Sequence, residues 1–428
     1  MSAREKIPFP PALTMPANPV EAPTGLGAAA ASPETARLSR RSALRFIVLL
    51  GVVSFFADMT YESARSITGP YLAVLGASAT IVGIVSGFGE LIGYAVRLLF
   101  GYVSDRSGRY WLITVVGYAF NLFAVPALAL AGRWELAVLL IIAERFGKGI
   151  RSPARDAMLS HASSRTGLGW GFGLHEAMDQ GGAITGPLIL GGILALDYDY
   201  RDAFAILIIP AVLAMAVLLA ARFLFPQPGN FDPAPPSTGG GLPRVFSIYM
   251  VAIGFIAAGY ADFPLIAFHF EKSALVSTSQ IPLLYAIAMA TDAVAALALG
   301  RAFDRVGLWT MVSATLASAA AAPLVFLGDL PVAAFGMALW GVGMGAQESV
   351  MRAKVAAITP KDQRGTAYGM MNVIYGFAWF AGSALLGFLY DVATPLSVAV
   401  VSMLLQLVSL PILFALMRGT RQMGAESS

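Results

Sequence analysis

The segment "ERFGKGIRSPARD" places Glu144, Lys148, Arg151 and Arg155 at i, i+4, i+7 and i+11, with Arg145 beside the first. At 3.6 residues per turn these side chains form one stripe along a single helix face, a wall carrying one carboxylate and several cations. Asp58 and Glu62 also share a face, Arg65 follows three residues later, and Glu90 stands in the apolar run "IVSGFGELIGYAV". Burial penalises the charged form of a carboxylate and a basic neighbour favours it, so a solute that displaces the basic neighbour can change protonation. The plainer reading of this group is a permanent salt bridge, such as Arg65–Glu62. "HEAMD" sets His175 and Asp179 four residues apart with Glu176 between them, a set of nitrogen and oxygen donors that suits either a structural hydrogen-bonded cluster or a transition metal. Further along come Asp262, His269, Asp292, Gln347, Glu348 and Arg352, and the aromatic run "NVIYGFAWF", in which Tyr375 and Trp379 share a face.

The elements that hold these groups are set by composition. Hydrophobic residues make up 57% of the 428 and charged residues 12%, with a mean hydropathy of +0.72. A soluble domain carries about 45–50% apolar residues, so the counting unit here is the membrane helix of about 20 residues. Twelve spans follow, giving an all-α membrane protein. The first six cover about 45–72, 80–103, 110–132, 134–157, 169–195 and 202–224; the second six cover about 245–270, 280–303, 308–327, 331–354, 366–391 and 394–417. They imply bundles at 43–224 and 245–418, a Pro- and Gly-rich linker at 225–244, a Pro/Ala-rich disordered tail at 1–42 and a short tail at 419–428. The amino-terminal tail lacks the apolar core and cleavage site of a secretory signal. There is no cysteine, which excludes disulfides and thiolate metal sites. Nothing resembles a phosphate loop or a catalytic constellation, no cofactor is implied, and a net charge of +3 gives no nucleic-acid surface.

Spans 3, 6, 9 and 12 contain no internal charge, whereas spans 1, 2, 4 and 5 contain many. A charge in hydrocarbon costs at least about 2.5–3.5 kcal/mol, so the charged spans face protein or water and the uncharged ones face lipid. Arginines and lysines gather on one side, at Arg40, Arg41, Arg45, Arg106, Arg109, Arg244, Arg305 and Arg418. The other side holds Arg133, Arg201 and Lys272. Both termini are therefore expected in the cytoplasm. Arg155 and Asp156 then fall at the cytoplasmic end of span 4, where Pro153 is expected to kink or end the helix. Asp156 is a natural partner there for Arg106 or Arg109, forming a gate latch. Gly147 and Gly149 allow another helix to come close.

The halves repeat one another. "GYVSDRSGRYW" follows span 2 and "GRAFDRVGLWT" follows span 8, matching Gly101, Asp105, Arg106 and Gly108 with Gly300, Asp304, Arg305 and Gly307. "FADM" parallels "YADF", and "GWGFG" before Gly186 parallels "GTAYG" before Gly382. Parallel repeats of this kind are one of the transporter architectures, with the site between the halves.

On these motifs the chain resembles the major facilitator superfamily from about residue 43 to 420. The loop after span 2 follows the family pattern through Gly101, Asp105, Arg106, Gly108 and Arg109 and departs at Tyr110, where a basic residue is usual. Arg145-Phe-Gly-Lys148-Gly149 is similar to the family's Arg-x-x-Gln-Gly, with Lys148 in place of glutamine. The glycines from Gly182 to Gly192 approximate its antiporter pattern, with one residue inserted. The wider run "YESARSITGPYLAVLGAS" resembles a bacterial branch of unnamed substrate. The resemblance implies two pseudo-symmetric six-helix bundles and a secondary transporter of a small solute. It would be proton-coupled through buried carboxylates, with antiport export preferred. Its partners are the solute, protons and the lipid bilayer. The expected pathway comprises Asp58, Glu62, Glu90, Glu144, Arg145, Lys148, Arg151, Glu176, Asp179, Asp262, Glu348 and Tyr375. The gate comprises Gly101, Asp105, Arg106, Gly108, Arg109, Asp156, Asp304 and Arg305. Three alternatives stand beside this. They are transition-metal transport on His175, Asp179, Asp58 and Glu90, organic-anion uptake on Lys148 and Arg151, and a non-transporting sensor on a transporter scaffold.

Overall fold

The computed structural model describes residues 40–166, 168–226, 242–359 and 364–425; the expected disordered tail up to residue 39 and most of the linker lie outside the described residues, while the tail's last three residues, 40–42, are helical. Regular structure among the described residues is helical throughout. The amino-terminal half comprises α1 (Arg40–Val74), α2 (Ala79–Ser107), α3 (Tyr110–Ala127), α4 (Trp134–Thr166), α5 (Leu168–Leu194), α6 (Tyr200–Ile206) and α7 (Ile208–Leu224). The second half comprises α8 (Arg244–Gly259), α9 (Phe263–Ser273), α10 (Gln280–Val306), α11 (Trp309–Leu327), α12 (Leu330–Glu348), α13 (Val350–Ile358), α14 (Arg364–Val392) and α15 (Pro395–Ala425). The pairs α6–α7, α8–α9 and α12–α13 each make one interrupted span, so these helices form twelve spans, six to a half.

Three boundaries differ from the sequence expectation. Pro153 does not end span 4: α4 carries it internally and continues to Thr166. Neighbouring helices can re-satisfy the carbonyl that a proline frees, and α4 is flanked by α2, α3 and α5. Span 12 continues as α15 to Ala425, into the expected tail. Span 7 is not one helix. Pro264 at the start of α9 has no N–H to return to the Tyr260 carbonyl, and Tyr260 and Asp262 take extended backbone.

Ten spans are long and apolar enough to cross a membrane unaided among the described residues. The two outside that set are α4 and α5, which carry the charged stripe and "HEAMD". The four charge-free spans turn large apolar side chains outward, among them Phe120, Ile209, Leu316 and Leu404. Small residues set the helix spacing where the repeat predicts it. A Cβ on Gly186 would stand 2.6 Å from the Met59 carbonyl oxygen, and one on Gly382 would stand 2.1 Å from that of Ala258. Span 5 thus lies on span 1 as span 11 lies on span 7. Gly147 seats α4 against Asn121 of α3, and Gly149 seats it against Val96 of α2.

The halves meet along α2–α14, α5–α10 and α1–α9. On the face remote from the two chain ends, the seam is closed. Asp391 of α14 accepts hydrogen bonds from the backbone N–H groups of Ala79 (3.0 Å) and Thr80 (2.7 Å), capping α2 from the opposite half. Tyr200 donates to Glu271 at 2.7 Å across the same face. Between the halves, on the side of the chain ends, lies a polar cavity of about 610 Å³.

Candidate functional site

Eight of the charged residues near the cavity form one connected network. Arg65 on α1 pairs with Glu90 on α2 at 3.5 Å and with Asp262, at the α8–α9 break, at 3.3 Å. Arg145 on α4 reaches the same Glu90 oxygen at 3.1 Å, and its Nε contacts Glu144 at 3.2 Å. Asn121 on α3 donates to Glu144 at 2.7 Å and accepts from Arg151 Nε at 3.2 Å. The Arg151 guanidinium lies 4.3 Å from the Tyr118 ring centre, and Lys148 Nζ lies 4.0 Å from that of Tyr61, both within cation–π range. Lys148 also faces Glu62 at 3.8 Å, and Tyr285 of α10 donates to Glu62 at 2.5 Å.

Four cations (Arg65, Arg145, Lys148, Arg151) therefore meet four carboxylates (Glu62, Glu90, Glu144, Asp262). Neutrality of this kind lets such charges stay buried. The plainer alternative, an Arg65–Glu62 bridge, is not the pairing found. Arg65 turns to Glu90 and Asp262 because the α8–α9 break frees the Asp262 carboxylate. Asp262 leaves its own helix end uncapped and instead accepts from Ser86 and from Trp379 at 3.2 Å. The break thereby ties α1, α2 and α14 together.

A second group lines the cavity nearer the chain ends. Asp58 on α1 and Asp179 on α5 line this cavity as neighbours. Each has a buried oxygen with no partner among the described residues. His175 Nε2 lies 2.9 Å from Ser54 Oγ, and Arg155 reaches the same hydroxyl at 3.3 Å. Glu176, Asp292 and Glu348 border this cavity too. Tyr375 donates to Gln347 at 2.9 Å and forms, with Tyr94 and Trp379, an aromatic wall beside α2.

The expected latch is not engaged. Asp156 is held by Arg155 at 2.8 Å rather than by Arg106 or Arg109, and Arg106 donates to Tyr102 at 2.6 Å. Gly108 takes the left-handed conformation that closes α2. Gly101 faces Pro153, and Asp304 and Arg305 are exposed. The Asp105 side chain lies outside what is described. His269 is removed from the cavity, 2.9 Å from the Tyr390 hydroxyl. Among the described residues no three His, Asp or Glu side chains converge as metal donors, and two arginines hold Glu90. The transition-metal reading thus lacks a donor set, including at His175 and Asp179.

Sequence reasoning missed Asn121, Tyr118, Ser86 and Tyr285. Asn121 had a legible signal, as a lone amide in an otherwise apolar span. The hydroxyls had none, since Ser and Tyr are common throughout membrane helices.

The model of the Major Facilitator Superfamily matches residues 48–383 and 245–426. The chain belongs to the major facilitator superfamily. An uncharacterized protein of Mycobacterium tuberculosis is 39% identical over 383 residues, covering 88% of this chain and 93% of its own length. An uncharacterized major facilitator transporter of Methanocaldococcus jannaschii is 27% identical over 379 residues, covering 86% and 94%. Among solved structures, a mutant of the nucleoside transporter NupG superposes with a TM-score of 0.70 at 14% identity, over 87% of this chain and 99% of that one. The chain is therefore a multi-pass major facilitator transporter, and the family's members are transporters rather than enzymes.

Proposed function

We propose that this protein is a proton-coupled secondary transporter of a small solute, working by alternating access between its six-helix halves. The observation that carries the reading is the Asp58–Asp179 pair. Two neighbouring carboxylates, each with a buried oxygen, repel unless a proton or cation sits between them. Arg155 beside them supplies the positive charge that would stabilise the pair once the proton leaves. Asp58 is fixed to α1 and Asp179 to α5, so protonation bears on the packing of two helices that line the pathway.

The distribution of arginine supports a cytoplasmic position for the face of the chain ends, in a bacterial inner membrane by the family branch resembled. The cavity then opens inward, and Asp391 and Glu271 close the outer side. An open inner side also accounts for the resting position of Asp156: Arg106 and Arg109 become its partners when that side closes. The antiporter-like glycines of α5 favour export in exchange for protons. Bundles at 43–224 and 245–418 are the moving bodies. The pathway comprises the eight networked residues with Asp58, Asp179, Glu176, Glu348 and Tyr375. The helix ends at Gly101–Arg109 and Asp304–Arg305 form the inner gate.

The test is reconstitution into proteoliposomes containing a pH-sensitive dye, with a panel of anionic, cationic, zwitterionic and neutral solutes. At least one solute is expected to move protons. Asp58→Asn and Asp179→Asn are each expected to abolish proton movement while solute exchange persists. Proton movement unchanged in both variants overturns the coupling assignment. Absence of flux for every solute favours the sensor alternative.

A further inference from the structure

A recess of about 200 Å³ opens off the main cavity between α2 and α13–α14. Five cations line it, Arg65, Arg97, Arg145, Lys148 and Arg352. Three of them belong to the neutral network described above. Arg97 and Arg352 do not: among the described residues neither comes within ion-pair distance of a carboxylate. Arg97 Nε is buried without a hydrogen-bond partner, and its guanidinium lies 5.8 Å from the Tyr94 ring centre. Arg352 extends from α13, just past the break at Ser349. The two come from opposite halves and line the same recess.

Against this pair the recess offers only Glu348, so it is one negative charge short, and two short when Glu348 carries a proton. Two like-charged guanidiniums facing one recess are stabilised by an anion, which arginine binds in bidentate fashion. The rest of the lining sets the anion's body. Tyr94 and Tyr375 stand edge to face with centroids 6.0 Å apart, Trp379 continues the row at 5.4 Å from Tyr375, and Met344, Met351 and Met371 lie nearby. Such a wall accepts a flat apolar group.

We infer that this recess binds an organic anion with a planar apolar body, its acidic group held between Arg97 of one half and Arg352 of the other. The inference rests on the proposed function, deepening it to a substrate class. It also moves the anion site away from Lys148 and Arg151, whose charges are already matched by Glu62, by the Asn121–Glu144 pair and by aromatic faces. Because one arginine sits on each half, the anion draws the halves together on the inner side. It is also separate from the Asp58–Asp179 pair, so solute and proton occupy different places.

The experiment measures binding to the purified full-length protein in detergent by isothermal titration, with benzoate, phenylphosphonate, benzylamine and benzyl alcohol as size-matched probes. Benzoate and phenylphosphonate are expected to bind, and the amine and the alcohol are not. Arg97→Gln and Arg352→Gln are each expected to weaken anion binding at least tenfold, and Arg352→Lys to restore part of it. Gel filtration and the unfolding midpoint of the unliganded variants establish that they fold. Arg352→Glu supplies a second readout, since reversing the charge is expected to abolish benzoate binding and admit benzylamine. Benzylamine binding as well as benzoate to the unaltered protein overturns the inference, as does anion binding unchanged in the Arg97→Gln/Arg352→Gln double variant, or no binding of either anion. Proteoliposome flux separates this outcome from failure of the broader reading. Flux confined to cationic or neutral solutes overturns the anion site and leaves the transporter standing, whereas anion binding without any flux does the reverse.

Discussion

At the scale of single residues, the fate of each buried charge depends on its neighbour rather than on its depth. Glu144 and Arg151 illustrate this, because the Asn121 amide serves both, donating through Nδ2 and accepting through Oδ1. Asn121→Leu keeps the volume and removes both contacts, and an orphaned hydrogen bond to a charged group costs about 1–3 kcal/mol or more. The variant is expected to lower the thermal unfolding midpoint in detergent clearly, and Asn121→Asp also, because it keeps the Arg151 contact but sets a second carboxylate against Glu144. Arg145→Ala should be worse, since it leaves both Glu90 and Glu144 short of a cation. Removing one partner of a buried pair costs about 3–5 kcal/mol, read as loss of folded protein on gel filtration. The sequence announced the charged partners through their spacing in an apolar chain. It did not announce which carboxylate each arginine would take. Helical phase shows which residues share a face, but the Arg65–Asp262 contact depends on two segments 197 residues apart meeting at a helix break.

Among elements, the α2–α14 seam decides which side of the membrane is shut. A Cβ on Gly83 would stand 2.2 Å from the Ser383 carbonyl oxygen, and one on Gly387 would stand 2.4 Å from that of Ala79, so the outer halves of these helices touch backbone to backbone. Asp391 then caps α2 at the end of the same seam. Gly387→Leu and Asp391→Asn are each expected to part the outer seam and shift the population outward. The absence of native cysteine makes this measurable on an otherwise thiol-free chain. Thr68→Cys, in the small outer cavity beside Arg65, should react slowly with an impermeant maleimide in the parent and several-fold faster in either variant. Equal labelling rates would show that the seam does not set the conformation. The helices themselves were legible almost to the residue at many ends, because each must hold about 20 apolar residues. The interruptions were not. An averaging window smooths over "YADFP", although Pro264 marks the place, and Ser349 leaves no comparable mark.

For the whole molecule, the sorting of spans by charge was legible because it follows from solvation alone. The four charge-free spans face outward, and Phe120→Arg on α3 should cost about 2.5–3.5 kcal/mol and show as reduced membrane accumulation, whereas Asn372→Arg, beside the recess, should accumulate normally. The closed outer side was not legible, since Asp391 and Tyr200 look like ordinary loop-end residues until their partners are placed. The same sorting has a consequence for how the protein is made. α4 and α5 are too polar to partition into lipid by themselves, and their neighbours supply the environment that tolerates them: α2 and α3 around α4, and α1 and α10 around α5. During synthesis α10 has not yet emerged when α5 leaves the ribosome. The nascent amino-terminal half must therefore shelter α5 with its polar face incompletely covered until the second half arrives. In a glycosylation-mapping assay, α4 or α5 presented alone should fail to insert. α3–α4 in tandem should insert, and a chain stopped at Leu224 should be degraded faster than the complete one.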